Sequence, residues 1–277
     1  MIHGLNNAFL YAAKKITVKI SNGKEICELM GTGFFVSKDN DFILVTNRHM
    51  VDPEYYSPKF KGYKIQDFQI ESFQANDVNG CPKDLTSVHV INFDAFIYDA
   101  NNDVACLFEA KLSEDLIATS NVPFSFLANK EWIEKKLTVC DTIAYPGFPL
   151  WFDRRNNTPI FRMGTIASDP RLDYAADSSE PKASKIAYEG FSSGGASGSP
   201  VFAIQKGFPV GGAIQAPQDF YREVKVVGVN AGHFSTKDEG HSGISFFYKS
   251  SVVIDLIDSH SVQSVQSAQD VQDVQSV

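Results

Sequence analysis

The sequence predicts an all-β fold, and three observations carry that prediction. Short segments that are apolar, or that alternate between apolar and polar residues, recur along most of the chain; turns rich in Gly, Pro, Asn and Asp separate them; helical periodicity is scarce between them. Many short strands joined by such turns are typical of a barrel or a sandwich. The 277 residues are 43% hydrophobic, which is enough for a sizeable core, and all-β domains of this length are common.

The elements follow in order from the amino end. Residues 5–15, LNNAFLYAAKK, predict a short helix because they are rich in alanine and have asparagines near their start. From residue 16, ITVKI alternates like a half-buried strand. GTGFFVS at 31–37 and FILVT at 42–46 flank the turn KDND and predict a hairpin.

The remaining strand candidates lie in the middle and carboxyl-terminal parts of the chain. They are residues 88–98, 103–110, 136–145, 161–168, 185–190, 200–204, 224–232 and 243–248. SSVVIDLIDS at 250–259 predicts a closing helix. GFPVGG at 207–212 is a weak match to a phosphate-binding loop, and a hairpin turn explains it better.

The last residues form a triplet repeat, SVQSVQSAQDVQDVQSV, over 261–277. A period of three matches neither a strand nor a helix, because valines three apart drift around a helix instead of forming a stripe. The repeat predicts a disordered tail. A partner-binding or self-associating segment is the alternative.

Charge and composition exclude several classes of protein. The formal net charge is −8, and an acidic surface repels phosphate backbones, so we expect no nucleic-acid partner. No run of eighteen apolar residues occurs, so we expect no membrane span. The amino terminus does not resemble a secretory signal, and we expect a cytoplasmic protein with reduced thiols.

Cofactors and metals are not expected either. The four cysteines are scattered and form no CxxC pair, and the six histidines lack metal-type spacing. Two of the cysteines sit in apolar runs and are expected to be small core residues. The cysteines are Cys27, Cys81, Cys106 and Cys140, of which Cys106 and Cys140 are the two in apolar runs.

Three stretches carry residues suited to nucleophilic catalysis. VTNRHMV, NDVACL and GASGSP place His49, Asp103 and Ser197 beside apolar strands. A serine hydroxyl needs an imidazole to take its proton, and a buried carboxylate orients that imidazole. The glycines before the serine let the backbone N–H groups of Gly195 and Ser197 point at a developing oxyanion, and such a donor contributes about 3–4 kcal/mol.

Each stretch alone has a simpler interpretation. His49 alone is a structural histidine, Asp103 alone is a turn residue, and GGASGSP alone is a flexible loop. Their joint occurrence in the order His, Asp, Ser favours an assembled catalytic triad.

These stretches resemble the motifs of trypsin-like serine peptidases of the chymotrypsin clan. The similarity is greatest to the bacterial HtrA proteases and trypsin-like peptidase domain proteins. GTGFFVS and FILVTNRHMV resemble the opening strands and histidine motif, DVACL the aspartate motif, and GASGSP the serine motif G-x-S-G-G-P. AYPGFP, MGTIAS and VVGVNAG resemble segments of the second barrel. The resemblance covers residues 16–257.

The resemblance implies two packed six-stranded β-barrels of chymotrypsin type with an extended peptide bound in the cleft between them. The implied organisation is a helical extension at 1–15, a first barrel at 16–125, a second barrel at 126–258 and the low-complexity tail at 259–277. The activity implied is that of an endopeptidase with an acyl-enzyme intermediate, a protein or peptide substrate and no cofactor.

By the same resemblance, the substrate pocket is formed by a short set of residues after the serine motif. They are Asn230, Ala231 and Gly232, with Phe191 and Ser192 near the pocket base and His233 beside them. His233 and His241 flank this pocket, where an imidazole favours an acidic substrate side chain; ordinary surface histidines are the alternative.

Several positions depart from the family pattern. Ala196 replaces the aspartate that pairs with a new amino terminus in secreted relatives, so activation by amino-terminal cleavage is not expected. Ser199 replaces the last glycine of the serine motif, and Asn47-Arg48 replaces threonine-alanine before the histidine. No aspartate stands at the expected pocket base, so cleavage after Lys or Arg is not expected, and no PDZ-like stretch follows residue 260.

Two further functional interpretations stay open. One is a protease that remains latent until a protein activator or signal orders its loops, as in the defence systems that stand-alone bacterial relatives accompany. The other is a catalytically silent fold that binds a protein partner. Residues 53–87 are expected to pack beside the cleft and gate it.

Overall fold

The computed structural model describes residues 5–39, 41–76, 82–114, 120–207, 221–236 and 240–261. Cys81, most of the GFPVGG segment and the repeat from residue 262 onward lie outside these residues, so the predictions made for them are untested. The described chain forms two β-sheet units in sequence order.

The predicted amino-terminal helix is present in a shorter form. A 3-10 helix spans Asn7–Ala12, and the Asn6 side chain accepts a hydrogen bond from the N–H of Ala8 at its start. Lys14, which was expected in the helix, instead begins the first strand. That strand pairs along its length with strands on both sides, and these backbone hydrogen bonds override the helix propensity of the preceding alanines.

The first unit is an eight-stranded sheet. Its order is β5-β4-β1-β2-β3-β7-β6, with β8 parallel to β2. The strands are β1 (Lys14–Ser21), β2 (Ile26–Lys38), β3 (Asp41–Thr46), β4 (Lys64–Asn76), β5 (Pro82–His89), β6 (Ile97–Tyr98), β7 (Ala105–Leu107) and β8 (Val122–Pro123). Between β3 and β4 lie two 3-10 turns, Arg48–Met50 and Pro58–Phe60, and the one-turn helix α1 (Pro53–Tyr56).

The strand count of this unit differs from the six that were expected. The single strand predicted over 88–98 is divided, because a 3-10 turn at Phe93–Ala95 leaves only Ile97–Tyr98 as β6. The segment 53–87, expected to pack beside the cleft and gate it, contains β4 and most of β5, which were not predicted as strands. Phe68 and Ile70 of β4 are fully buried in the core of the sheet.

The second unit is the closed six-stranded barrel that was predicted. Its strands run in the order β10-β11-β14-β13-β12-β9. They are β9 (Thr142–Gly147), β10 (Ile160–Ile166), β11 (Lys185–Glu189), β12 (Pro200–Ala203), β13 (Lys225–Ser235) and β14 (His241–Lys249), preceded by helix α2 (Lys130–Lys136). The predicted boundary at 125/126 falls between β8 and α2.

The two units share one apolar core. Phe34 and Val36 of β2 pack in the same buried cluster as Phe202 and Val226 of the barrel. Helix α3, residues 250–261 of the described chain, confirms the predicted closing helix. Val253 and Ile257 of α3 lie in this same cluster. Packing therefore fixes the position of the two sheets relative to each other, and loops from both units border one shared cleft.

Candidate active site

Loops of both units line one open cavity of about 400 Å³. The first unit contributes His49 and Asp103, and the barrel contributes Ser197. The three residues that the sequence selected, which lie far apart in the chain, therefore border the same space. The full lining is His49, Tyr55, Tyr56, Asp103, Ser192, Ser193, Gly194, Ser197, Ala231, Gly232, His233 and Ser235.

His49 and Asp103 form a close pair with two hydrogen bonds. His49 Nδ1 lies 2.6 Å from Asp103 Oδ2, and the His49 backbone N–H donates to Asp103 Oδ1 at 2.8 Å. A carboxylate accepts from Nδ1–H, so the ring nitrogen Nε2 keeps its lone pair and can accept a proton. The pair has the tautomer and orientation that a general base requires.

The two residues before His49 depart from the family pattern and have structural roles here. Asn47 is fully buried, and its side-chain amide donates to the backbone carbonyl of Asp103 at 2.6 Å. Arg48 turns away from the cavity and forms an ion pair with Asp52 at 2.9 Å. Asn47 therefore connects the histidine strand to the aspartate loop.

Residues 193–199 form the loop that carries Ser197, here called the nucleophile loop after the role that the sequence predicts for this serine. The loop depends on two glycines with positive φ. Gly195 has φ +91° and Gly198 has φ +87°. A Cβ at Gly198 would lie 1.8 Å from the carbonyl oxygen of Thr32, and one at Gly195 would lie 2.2 Å from that of Phe148. Glycine is thus required at both positions for conformation and for space.

Thr32 of β2 holds this loop against the first unit. Its N–H donates to the Ser197 carbonyl at 2.8 Å, and its hydroxyl donates to the Gly195 carbonyl at 2.7 Å. The same hydroxyl accepts from the Phe148 N–H at 3.2 Å. Thr32 was not predicted to contribute to the site. The feature that could have identified it is a polar residue between two glycines in an apolar strand.

The backbone N–H groups of Gly195 and Ser197 are available as donors. Within the residues that the structure describes, neither N–H has a hydrogen-bond acceptor, whereas the neighbouring Ala196 N–H donates to the Ser193 carbonyl and the Gly198 N–H to the Asn230 carbonyl. Two unpaired N–H groups, separated in the chain by Ala196, are the donors that the sequence predicts for an oxyanion.

The Ser197 hydroxyl occupies a resting orientation. Its Oγ donates to the backbone carbonyl of Ala231 at 3.0 Å. In the described part of the chain no hydrogen bond joins Ser197 to His49. Transfer of the hydroxyl proton to Nε2 of His49 requires the hydroxyl to turn from Ala231 toward the imidazole.

Two positions near the serine have structural contacts that the sequence did not reveal. Asn230 is fully buried; its amide donates to Ser192 Oγ at 3.0 Å and to the Ala196 carbonyl at 2.9 Å, and it accepts from the Tyr188 hydroxyl. Asn230 thus holds the nucleophile loop from behind, while Ala231, Gly232 and His233 border the cavity itself. Ser199 is also fully buried, and Gly147 leaves the space for its hydroxyl.

Aromatic side chains near the aspartate were also missed by the sequence analysis. Tyr55 and Tyr56 of α1 line the cavity, and the Tyr56 ring lies 5.6 Å from the His49 ring. Burial and the negative charge of Asp103 raise the pKa of Tyr248 and of Tyr55 above the usual range. Both phenols are therefore neutral, and their rings shield the carboxylate from water.

The described residues form neither a cluster of metal ligands nor a membrane-spanning helix. Across the described ranges, no group of three or more His, Cys, Asp and Glu side chains is placed to hold a metal ion. No helix among the described residues is long and apolar enough to cross a membrane.

Comparison with known proteins gives the fold a wider context. A sequence profile for the family described as "Trypsin-like peptidase domain" matches residues 31–211. No curated protein sequence matches the chain.

Solved structures similar to this chain include two of HtrA-type proteases. One is AlgW with a decapeptide, at 16% identity and a TM-score of 0.50, covering 91% of this chain and 66% of that one. The other is an AlgW variant with a tripeptide, at 14% identity and a TM-score of 0.51, covering 91% of this chain and 62% of that one. This chain therefore spans less than two thirds of their length, and the likeness confirms the chymotrypsin-like fold.

Proposed function

Because the chain belongs to the trypsin-like peptidase domain family, we propose that it is a serine endopeptidase that uses Ser197, His49 and Asp103 as its triad. The observation that carries the proposal is the His49–Asp103 pair, joined at 2.6 Å, on the wall of the cavity that Ser197 also lines. A protein or peptide in extended conformation is the substrate, as the cleft between the two units suits an added strand.

The reaction begins with attack of Ser197 Oγ on a peptide carbonyl. His49 Nε2 takes the hydroxyl proton as the Oγ–C bond forms, and Asp103 stabilises the resulting imidazolium. The N–H groups of Gly195 and Ser197 donate to the oxyanion. His49 then gives the proton to the leaving amine as the C–N bond breaks, and water hydrolyses the acyl-enzyme by the same steps with water in place of the serine.

The Ala231 contact of Ser197 supports the further proposal that the enzyme is latent. The hydroxyl is directed at the Ala231 carbonyl at 3.0 Å, so the resting chain has its nucleophile turned from its base. Substrate or a protein activator that displaces this contact would turn the hydroxyl to His49. We extend the proposal, on the sequence and the family resemblance, to a cytoplasmic bacterial protease that acts in defence, where such restraint protects other proteins.

The same contact favours a second candidate function, a protein-binding module without catalysis. In that case the cleft still takes an extended segment of a partner, but Ser197 never turns from Ala231.

The test is labelling of the full chain with a fluorophosphonate, with the site located by peptide mapping. We expect slow labelling confined to Ser197 and its loss in Ser197→Ala and His49→Ala. Ser235→Ala, a serine at the edge of the same cavity, is the matched control and should label like wild type. Complete absence of labelling in protein whose circular dichroism is native would contradict the peptidase and favour the binding module.

A further inference from the structure

Two histidines form the wall of the cavity on the β13–β14 side. The rings of His233 and His241 stack with centroids 4.3 Å apart and planes 17° apart. His233 is exposed and lines the cavity with Ser197, while His241 lies behind it and also contacts the Phe191 ring, at 4.8 Å. The sequence placed both histidines near the pocket but did not predict their stacking, which occurs where the β13–β14 pairing shifts register between His233 and Ser235.

The inner ring, His241, is held in its neutral form. Its Nδ1 accepts a hydrogen bond from the Gly243 N–H at 2.8 Å, so the ring hydrogen is on Nε2, 3.3 Å from Ser245 Oγ. Burial and the nearby His233 imidazole lower the pKa of His241 below its usual value. His241 is therefore a fixed, uncharged surface on which the His233 ring lies.

The outer ring, His233, has both nitrogens available to a ligand. Among the described residues it forms no hydrogen bond and no ion pair, and its stacking on His241 fixes the plane of the ring. Ser193, which also lines the cavity, has a buried hydroxyl without a partner in the described chain. The lining of the cavity thus contains an exposed imidazole and a buried, unpaired hydroxyl, each able to donate a hydrogen bond.

Positive charge lies near this wall. Arg162 of β10 donates from its guanidinium to the Phe191 carbonyl. Its positive charge lies close enough to His241 to contribute to the lowered pKa of that imidazole. Among the described residues lining the cavity, Asp103 is the one carboxylate, and both of its oxygens are bonded to His49. A carboxylate entering near His233 therefore meets hydrogen-bond donors and the positive charge of Arg162, and no carboxylate in the described lining of the cavity is free to repel it.

We infer that this wall selects an acidic side chain, Glu or Asp, on the residue whose carbonyl Ser197 attacks, with His233 as the group that contacts the carboxylate. The inference rests on the proposed peptidase activity. His233 acts here as a specificity-determining residue, and His241 positions it. A basic side chain is disfavoured by the same charges.

The first experiment compares peptides that differ in one atom group. Two pairs of fluorogenic peptides carry Glu or Gln, and Asp or Asn, before the cleaved bond in an otherwise identical sequence. We expect kcat/KM for the acidic member of at least one pair to exceed that of its amide by roughly 10-fold, the ratio of one moderate charged contact. Equal values for both pairs, or faster cleavage after an apolar or basic residue, would overturn the inference.

Variants of the exposed ring assign the preference to charge. His233→Gln should bring the acid-to-amide ratio close to one, whereas His233→Lys, which places a cationic donor at the same position, should keep the acidic preference. His89→Gln removes another exposed histidine, which pairs with Asp67 on the first sheet at 2.6 Å, and should leave the ratio at the wild-type value. Loss of the preference in His89→Gln would count against His233.

Fluorophosphonate labelling of Ser197 in every variant separates this inference from the proposed function. Labelling together with an equal acid-to-amide ratio removes the inference and leaves the peptidase. If Ser197 is not labelled, calorimetry with peptides ending in Glu or Gln still tests the wall. Tighter binding of the Glu peptide that His233→Gln abolishes would support it, and equal binding would overturn it.

Discussion

Thr32 connects the two units on either side of the cleft through hydrogen bonds. It is fully buried on β2, and its amide and hydroxyl bond to Ser197 and Gly195 of the nucleophile loop, which belongs to the other unit. Its own carbonyl accepts from Thr46 at 2.8 Å, just before the histidine turn. One residue therefore joins the strand before His49 to the loop of Ser197, the base and the nucleophile that we propose, and a displacement of about 1 Å in such a pair lowers a rate about 100-fold.

Replacement of this threonine by valine should separate its hydroxyl from its shape. Thr32→Val keeps the volume but leaves the Gly195 carbonyl and the Phe148 N–H without the partner that they have now. We expect the free energy of unfolding to fall by about 1–3 kcal/mol. We expect fluorophosphonate labelling of Ser197 to slow roughly 10- to 100-fold.

Thr32→Ser is the matched control because it keeps the hydroxyl. Urea denaturation and the labelling rate are measured for both variants. A Thr32→Val protein that labels as fast as wild type would show that the loop holds its shape without this hydroxyl.

At the residue scale, the sequence indicated the three candidate reactive residues but not the residues that hold their loops in place. His49, Asp103 and Ser197 were proposed because each lies beside an apolar strand in a motif with a known order. Thr32 and Asn230 act through partners more than 30 residues away, and no local pattern encodes such a pairing. The resting contact between Ser197 and Ala231 depends on a side-chain rotation, which sequence does not determine.

At the scale of elements, the β4–β5 hairpin shows where pattern reading failed. β4 alternates, with Phe68 and Ile70 facing the core, but its pairing with β1 is interrupted by a register shift next to Ile20. The shift leaves Gln66 unpaired and breaks the period of two that identifies a strand. The neighbouring β2–β3 hairpin was predicted because two apolar runs, GTGFFVS and FILVT, flank the turn KDND, and its pairing keeps one register from Phe34 to Val45.

The position of Phe68 makes this hairpin part of the core, and a substitution there tests that assignment. Phe68→Ala removes a fully buried ring that packs against Phe96 at 5.4 Å. We expect the free energy of unfolding to fall by about 3–5 kcal/mol, measured by urea denaturation.

Leu85→Ala on β5 is the control, since Leu85 is 42% exposed and its loss should change stability by about 0.5 kcal/mol or less. If Phe68→Ala lowered the free energy of unfolding as little as Leu85→Ala, the hairpin would not be part of the core. In that case its deletion should leave the fold intact.

At the scale of the whole molecule, the two units behave as one body because they share a core. Residues of β2, of the barrel and of helix α3 occupy a single buried cluster, and the nucleophile loop is bonded across the same junction through Thr32. A cleft built in this way keeps its geometry only while both units are folded. Loss of packing at the junction should therefore reach both sheets and the active site together.

Ile257 of α3 tests that coupling, because it is fully buried in the shared cluster while lying outside both sheets. Ile257→Ala should lower the free energy of unfolding by about 2–5 kcal/mol.

Trp132 and Trp151 report on the unfolding of the barrel unit by fluorescence. Modification of Cys106, a buried thiol on β7 whose pKa burial raises to about 12, reports on the first. The two transitions should coincide in urea and shift together in the variant, because a shared core unfolds cooperatively. Separate midpoints, with only the barrel destabilised, would show that each sheet folds independently and that α3 belongs to the barrel alone.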